Sequence, residues 1–145
     1  MYPVATEEHV LVLLAAVRSL AEALAFEPKP LVELDIVVRE IGSNALRHGG
    51  GGRASVRAIE RLEDARADGE PAESRRPGIE VVVTDDGPGI PDVERALVDG
   101  FSTRRGLGLG LGLGAARRLS DGFTIESAPG TGTRVVIVKW RARAS

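Results

Sequence analysis

Residues 100–123 read GFSTRRGLGLGLGLGAARRLSDGF, with five glycines at every second position from Gly106 to Gly114 and then a helix-like segment. A run so rich in glycine cannot pack as a core, because glycine loses the most backbone freedom on ordering. Its best use is to close main-chain N–H groups around an anion, the helix behind it adding the positive end of its dipole. That points to a phosphate-bearing ligand. A flexible linker is the other reading, but linkers carry Ser or other polar residues, whereas here Leu107, Leu109, Leu111 and Leu113 interleave strictly. A dinucleotide-binding Rossmann domain fits poorly too: the glycines follow no opening strand, and no acidic residue stands at the expected distance after them.

The segments on either side set the expected architecture. Downstream, Phe123 to Ser127 and Thr133 to Trp140 flank the turn APGTGT, which predicts an antiparallel hairpin. Upstream, Ile79 to Thr84 and Arg53 to Ile59 alternate like strands. Between these two lies RLEDARADGEPAESRRPG, residues 61–78, charged and poor in bulky apolar groups; it predicts a solvated, mobile hairpin loop. A docking loop for a partner is the alternative, to which its mixed charge gives no direction. Earlier still, Leu34, Val37, Val38, Ile41 and Ala45 form the apolar stripe of a helix over 31–48, stopped by Gly49 to Gly52. Pro28 and Pro30 break a first helix that Thr6 caps and that carries Val10, Leu13, Leu14, Val17, Ala21 and Leu24 to about Ala25. Helix, helix, strand, strand, helix, hairpin predicts an α/β (α+β) two-layer sandwich, with helices on one face of a mixed, largely antiparallel sheet.

Bulk properties fit one domain spanning residues 1–145, long enough for a real core but not for two. A formal charge of −2 gives no field favouring nucleic acid or an anionic membrane. The chain has no cysteine, which excludes a disulfide framework and thiolate metal sites. No apolar stretch reaches bilayer length and MYPVATEEH lacks a signal pattern, so the expectation is an unexported cytoplasmic protein.

Chemistry concentrates at two further places. Glu40 and Asn44 stand four apart, one above the other on a helical face away from the apolar stripe. A carboxylate and an amide oxygen so placed suit a hydrated Mg²⁺ or the orientation of a nucleophile; an ordinary solvated helix surface is the plainer reading. His48 continues that face at the helix end, where satisfying local carbonyls is the better reading, and His9 stands without companions. The second place is Asp85-Asp86-Gly87-Pro88-Gly89, after a strand nearly continuous in β-branched residues. A fixed carboxylate beside backbone thin enough for a flat ring suits an adenine amino group, though an Asp/Gly turn has the same composition. Gly130-Thr131-Gly132-Thr133 is either a hairpin tip or a hydroxyl supporting the base.

Taken in order, these elements resemble the GHKL ATPase superfamily, the Bergerat fold. The N box is Glu40-Ile-Gly-Ser-Asn44-Ala, the first glycine box Asp85-Asp-Gly87-Pro-Gly89, the second Gly108-Leu-Gly110-Leu-Gly112-Leu and the third Gly130-Thr-Gly132-Thr133. Within the superfamily the chain looks most like RsbT-type switch serine/threonine kinases of bacterial stress signalling, the DGFST segment setting it apart from anti-sigma-factor kinases. The resemblance implies that Asp85 accepts from the adenine amino group, that Gly87 and Gly89 let backbone approach the base, and that Thr133 assists through its hydroxyl or a water. It implies Asn44 as the Mg²⁺ ligand, Glu40 as general base on a protein hydroxyl, and Gly106, Gly108, Gly110 and Gly112 as a lid over ATP. Two departures stand out: the 61–78 loop is long for the switch kinases, and the extra Gly-Leu repeats leave the register of the second box open. Arg104 or Arg105 would reach the γ-phosphate, or else form a solvated basic pair; both readings stay open.

By the same resemblance the substrates are STAS-domain proteins of a stressosome and a second partner is a PP2C-type phosphatase that the released kinase activates. The expected function is therefore an ATP/Mg-dependent serine/threonine kinase and partner-switching regulator. The alternatives are an anti-sigma factor or other ATP-binding module with negligible turnover, and a detached histidine-kinase catalytic domain. Retention of Glu40 disfavours the first, and the absence of a dimerising hairpin around His9 disfavours the second.

Overall fold

Thr6 has extended backbone, and its hydroxyl accepts from the His9 N–H at 3.1 Å, so the first helix starts where its sequence expects. His9 is not without a role: its Nδ1 accepts from the Ala5 N–H at 3.0 Å and closes the cap from the other side. The computed structural model describes residues 1–62, 75–90, 97 and 112–142. Among these the chain runs β1 (Tyr2–Val4), α1 (Glu7–Ala23), α2 (Pro28–Gly49), β2 (Gly52–Leu62), β3 (Arg75–Asp85), α3 (Gly112–Leu119), β4 (Gly122–Ala128) and β5 (Gly132–Trp140).

The boundary between α1 and α2 differs from the sequence expectation. Pro28 and Pro30 do not separate the helices; they form the first turn of α2, where a missing N–H has no intrahelical partner and the fixed φ already suits a helix. What ends α1 is Ala25 in the left-handed region at φ 59°, with the Phe26 N–H returning to the Ala21 carbonyl and the Ala25 N–H to that of Glu22. At the other end of α2, Gly50 adopts φ 71° and terminates the helix as expected.

The sheet order is β1-β2-β3-β5-β4, and every neighbouring pair is antiparallel. β1 was not legible in the sequence. It is three residues long and is held by pairing Tyr2 to Ala54 and Val4 to Gly52. β2 and β3 both reach into the 61–78 stretch, ending at Leu62 and beginning at Arg75; residues 63–74 lie outside the described residues.

Alternation along the two central strands decides where the site falls. Ile79, Val81, Val83 and Asp85 of β3, with Thr133, Val135, Ile137 and Lys139 of β5, are all buried on the face that carries the helices. The apolar members join Leu13, Leu34, Val38 and Ile41 in one core. The polar members mark its two ends. Lys139 Nζ donates to the Leu119 carbonyl at 2.7 Å and pairs with Glu33 at 3.3 Å, so it ties the end of α3 to β5 and α2. Lys139→Ala leaves that carbonyl and carboxylate without their cation, and the expected loss is on the order of 2 kcal/mol in urea unfolding. An unchanged midpoint would remove this anchor. No helix among the described residues is long and apolar enough to cross a membrane.

Candidate nucleotide site

Asp85 and Thr133 stand opposite each other in the β3–β5 register, at the far end of the sheet from Lys139. Side chains directly opposite on one face of an antiparallel pair are neighbours, so a buried carboxylate and a buried hydroxyl share one spot. Asp85 Oδ1 accepts from the Gly87 N–H at 2.9 Å, which fixes the carboxylate and leaves its other oxygen for a further donor.

Three glycine-bearing segments close around this carboxylate with almost no side chain between them. A methyl group on Gly49, at the end of α2, would overlap the Asp85 carboxyl carbon and stand 2.5 Å from both its oxygens. One on Gly87 would lie 2.5 Å from the Gly49 Cα. Gly132, at φ 80°, sits where a Cβ would overlap the Asp85 carbonyl oxygen, so both its conformation and its proximity require glycine. The Gly130 N–H donates to the Pro88 carbonyl at 2.7 Å and the Ile90 N–H to Ser127 Oγ at 2.7 Å, fastening the 85–90 turn to the β4–β5 hairpin. An open cleft at these strand ends is lined by Thr84, Asp85, Asp86, Ser127, Gly132, Thr133 and Arg134, residues of both sheet faces.

In the sequence Gly49 reads only as part of a helix stop, and nothing there marks Ser127. A signal for Gly49 was present: four consecutive glycines, 49–52, exceed what one helix terminus needs. Gly49→Ala is expected to push the Asp85 carboxyl aside and to cost about 1–3 kcal/mol of stability, the usual range for overpacking. Urea unfolding measures it, and a variant as stable as the parent would show that the close approach is relaxed at no cost.

The α2 side of the site corrects one expectation. Glu40 lies off the apolar stripe, yet it is not on a solvated surface: it is 1% exposed, and its Oε2 accepts from the Gly112 N–H at 3.1 Å. α3 packs on α2 and covers this face. Ser43, one turn on, is buried as well, and its hydroxyl has no hydrogen-bond partner among the described residues. Asn44 is half-buried and His48 exposed. Gly112 opens α3 with φ 76°. The remaining expected contacts of the glycine run, Gly106, Gly108 and Gly110, lie outside the described residues, as do Arg104 and Arg105.

The donor set bears on a metal. Among the described residues no three acidic or histidine side chains converge to hold an ion. The one amide oxygen of half-buried Asn44 fits Mg²⁺ that would arrive on a triphosphate and keep phosphate and water oxygens for most of its shell.

The sequence profile of the histidine kinase-, DNA gyrase B-, and HSP90-like ATPases matches residues 31–143. Among curated proteins the chain is similar to the serine/threonine-protein kinase RsbT of Bacillus subtilis (strain 168), 28% identical over 123 residues that make up 85% of this chain and 82% of that protein. Among solved structures it is similar to the mycobacterial sensor histidine kinase MprB, with 27% identity and a TM-score of 0.46 over 78% of this chain and 74% of that one. With a profile match that spans all the glycine-bearing segments and the α2 carboxylate, the chain belongs to the family of histidine kinase-, DNA gyrase B-, and HSP90-like ATPases.

Proposed function

We propose that the protein is an ATP- and Mg²⁺-dependent serine/threonine kinase that works as a partner-switching regulator. The observation that carries this reading is Glu40, a carboxylate kept one helical turn from Asn44 on the helix that ends at the Asp85 pocket. A protein that only sensed nucleotide would need Asn44 and Asp85 but no proton acceptor. In this reading Asp85 takes the adenine amino group, Gly87 and Gly89 admit the ring, and Thr133 supports its edge. Asn44 would hold Mg²⁺, which would supply charge to neutralise the triphosphate. Glu40 accepts the proton of a serine or threonine hydroxyl as that oxygen attacks the γ-phosphorus, and ADP leaves. Such transfer needs mainly positioning and charge neutralisation, which a domain of this size can supply.

In the conformation seen here, Glu40 Oε2 is occupied by the Gly112 N–H. A substrate hydroxyl needs the same buried carboxylate, so the first turn of α3 gives up this bond in the reacting complex. The same contact favours a second reading, a nucleotide-binding regulator with negligible turnover in which Glu40 serves to hold α3. Similarity to RsbT supports STAS-domain proteins as the substrates and a PP2C-type phosphatase as the second partner. Competition of two partners for one surface, with phosphorylation altering the affinity for one, is sufficient for a switch.

Incubation with labelled ATP and STAS-domain proteins of the same organism separates the readings. Phosphoserine or phosphothreonine on a STAS protein is the expected product. Nucleotide binding with no transfer to any of them would leave the regulator reading in its place.

A further inference from the structure

We propose that Ser127 is a positioning residue for base recognition: it commits the Thr133 proton inward, so that Thr133 faces the nucleotide as an acceptor and reads the purine edge beside the amino group through a water. This rests on the adenine site proposed above and adds a residue to it.

The argument is a count of protons and lone pairs. Ser127 Oγ has three partners: the Ile90 N–H at 2.7 Å, the Gly132 carbonyl at 3.1 Å and Thr133 Oγ1 at 2.8 Å. A hydroxyl has one proton and two lone pairs. The Ile90 N–H can only donate, so it takes one lone pair. The Gly132 carbonyl can only accept, so it takes the proton. One lone pair is left, and Thr133 can bond to it only by donating. The opposite sense, Ser127 donating to Thr133, forfeits the bond to the carbonyl oxygen of buried Gly132.

Thr133 therefore presents lone pairs beside the Asp85 carboxylate, its register partner. Two acceptors stand side by side. An adenine whose amino group donates to Asp85 has N1, another acceptor, next to it. Thr133 and N1 cannot bond directly. A water donating one proton to each satisfies both. A purine with the same amino group but a proton on N1 needs no such water. Isoguanine, in its 6-amino, N1–H, 2-oxo form, is that purine, and it should donate straight to Thr133.

The test measures the affinities of ATP and isoguanosine triphosphate by calorimetry for the parent chain, Ser127→Ala and Ser127→Thr. In Ser127→Ala the Thr133 proton is released and turns to N1, which helps ATP and opposes the N1–H analogue. The expected result is a shift of about fivefold or more toward ATP in the ratio of the two affinities, the size of one hydrogen bond. Ser127→Thr keeps the hydroxyl and should keep the parent ratio. Because the readout is a ratio, a general loosening of the pocket does not move it. Equal weakening of both nucleotides in Ser127→Ala overturns the proposal, and so does a parent chain that binds ATP but rejects the analogue. Failure of the parent to bind either nucleotide would instead remove the adenine site itself, and failure to phosphorylate a protein would leave the proposal about Ser127 standing.

Discussion

Glu40→Ala is expected to lower phosphoryl transfer to a protein hydroxyl by about 10²- to 10⁴-fold, the usual contribution of a general base, without weakening ATP binding. The two halves of this expectation have separate causes. Loss of transfer follows from loss of the proton acceptor. Retained binding follows from the position of Glu40, which sits under α3 with its Oε2 bonded to the Gly112 N–H. Removing the carboxylate also frees that N–H, the one described amide of the glycine run that Glu40 now occupies. Nucleotide affinity should therefore equal or exceed that of the parent. Single-turnover transfer from labelled ATP, read beside calorimetry on the same preparation, checks both halves. Transfer at the parental rate would strip Glu40 of the role of base; a large fall in affinity would show that it is a nucleotide ligand instead.

Asp85→Asn should act in the complementary way, weakening nucleotide binding itself by roughly 10- to 100-fold, as expected for a lost hydrogen bond of 1.5–3 kcal/mol to a charged acceptor. The substitution is nearly isosteric. The Gly87 N–H, which now bonds Oδ1 at 2.9 Å, selects the carbonyl oxygen of the new amide. Its NH₂ is then turned to where the adenine amino group would donate, and two donors face each other. The fold should tolerate the change because the Gly87 bond and the packing against Gly49 are both kept. Unchanged ATP affinity in a correctly folded variant would mean that the base is held elsewhere.

The placement of Glu40, Asn44 and Asp85 on their elements was legible residue by residue, because the signals are local. The spacing of Glu40 and Asn44 fixes their common helical face, and the DDGPG turn after a β-branched run places a carboxylate at a strand exit. The burial of Glu40 was not legible. A spacing of four says which face a side chain occupies but not what packs on it, and the cover is α3, 72 residues further along the chain. Gly49 and Ser127 escaped for the same reason. A glycine after a helix reads as a stop, and a serine in a strand as an ordinary alternation. Only contact with Asp85 in one case, and with Ile90, Gly132 and Thr133 in the other, gives them their work.

The order of the helices and of the four longer strands, and the two apolar stripes, were determined by the sequence alone, since periodicity and turn chemistry depend on residues a few positions apart. The tertiary structure decided that β1 exists, that Pro28 and Pro30 begin α2 rather than precede it, and that the Glu40 carboxylate is held under α3. Each of these depends on a partner remote in sequence or on where the chain must turn to meet one: β1 on the edge of β2, α2 on the αL turn at Ala25, Glu40 on the N–H of Gly112. Burial and hydrogen-bond satisfaction are properties of meeting surfaces, and surfaces meet only once the chain has folded.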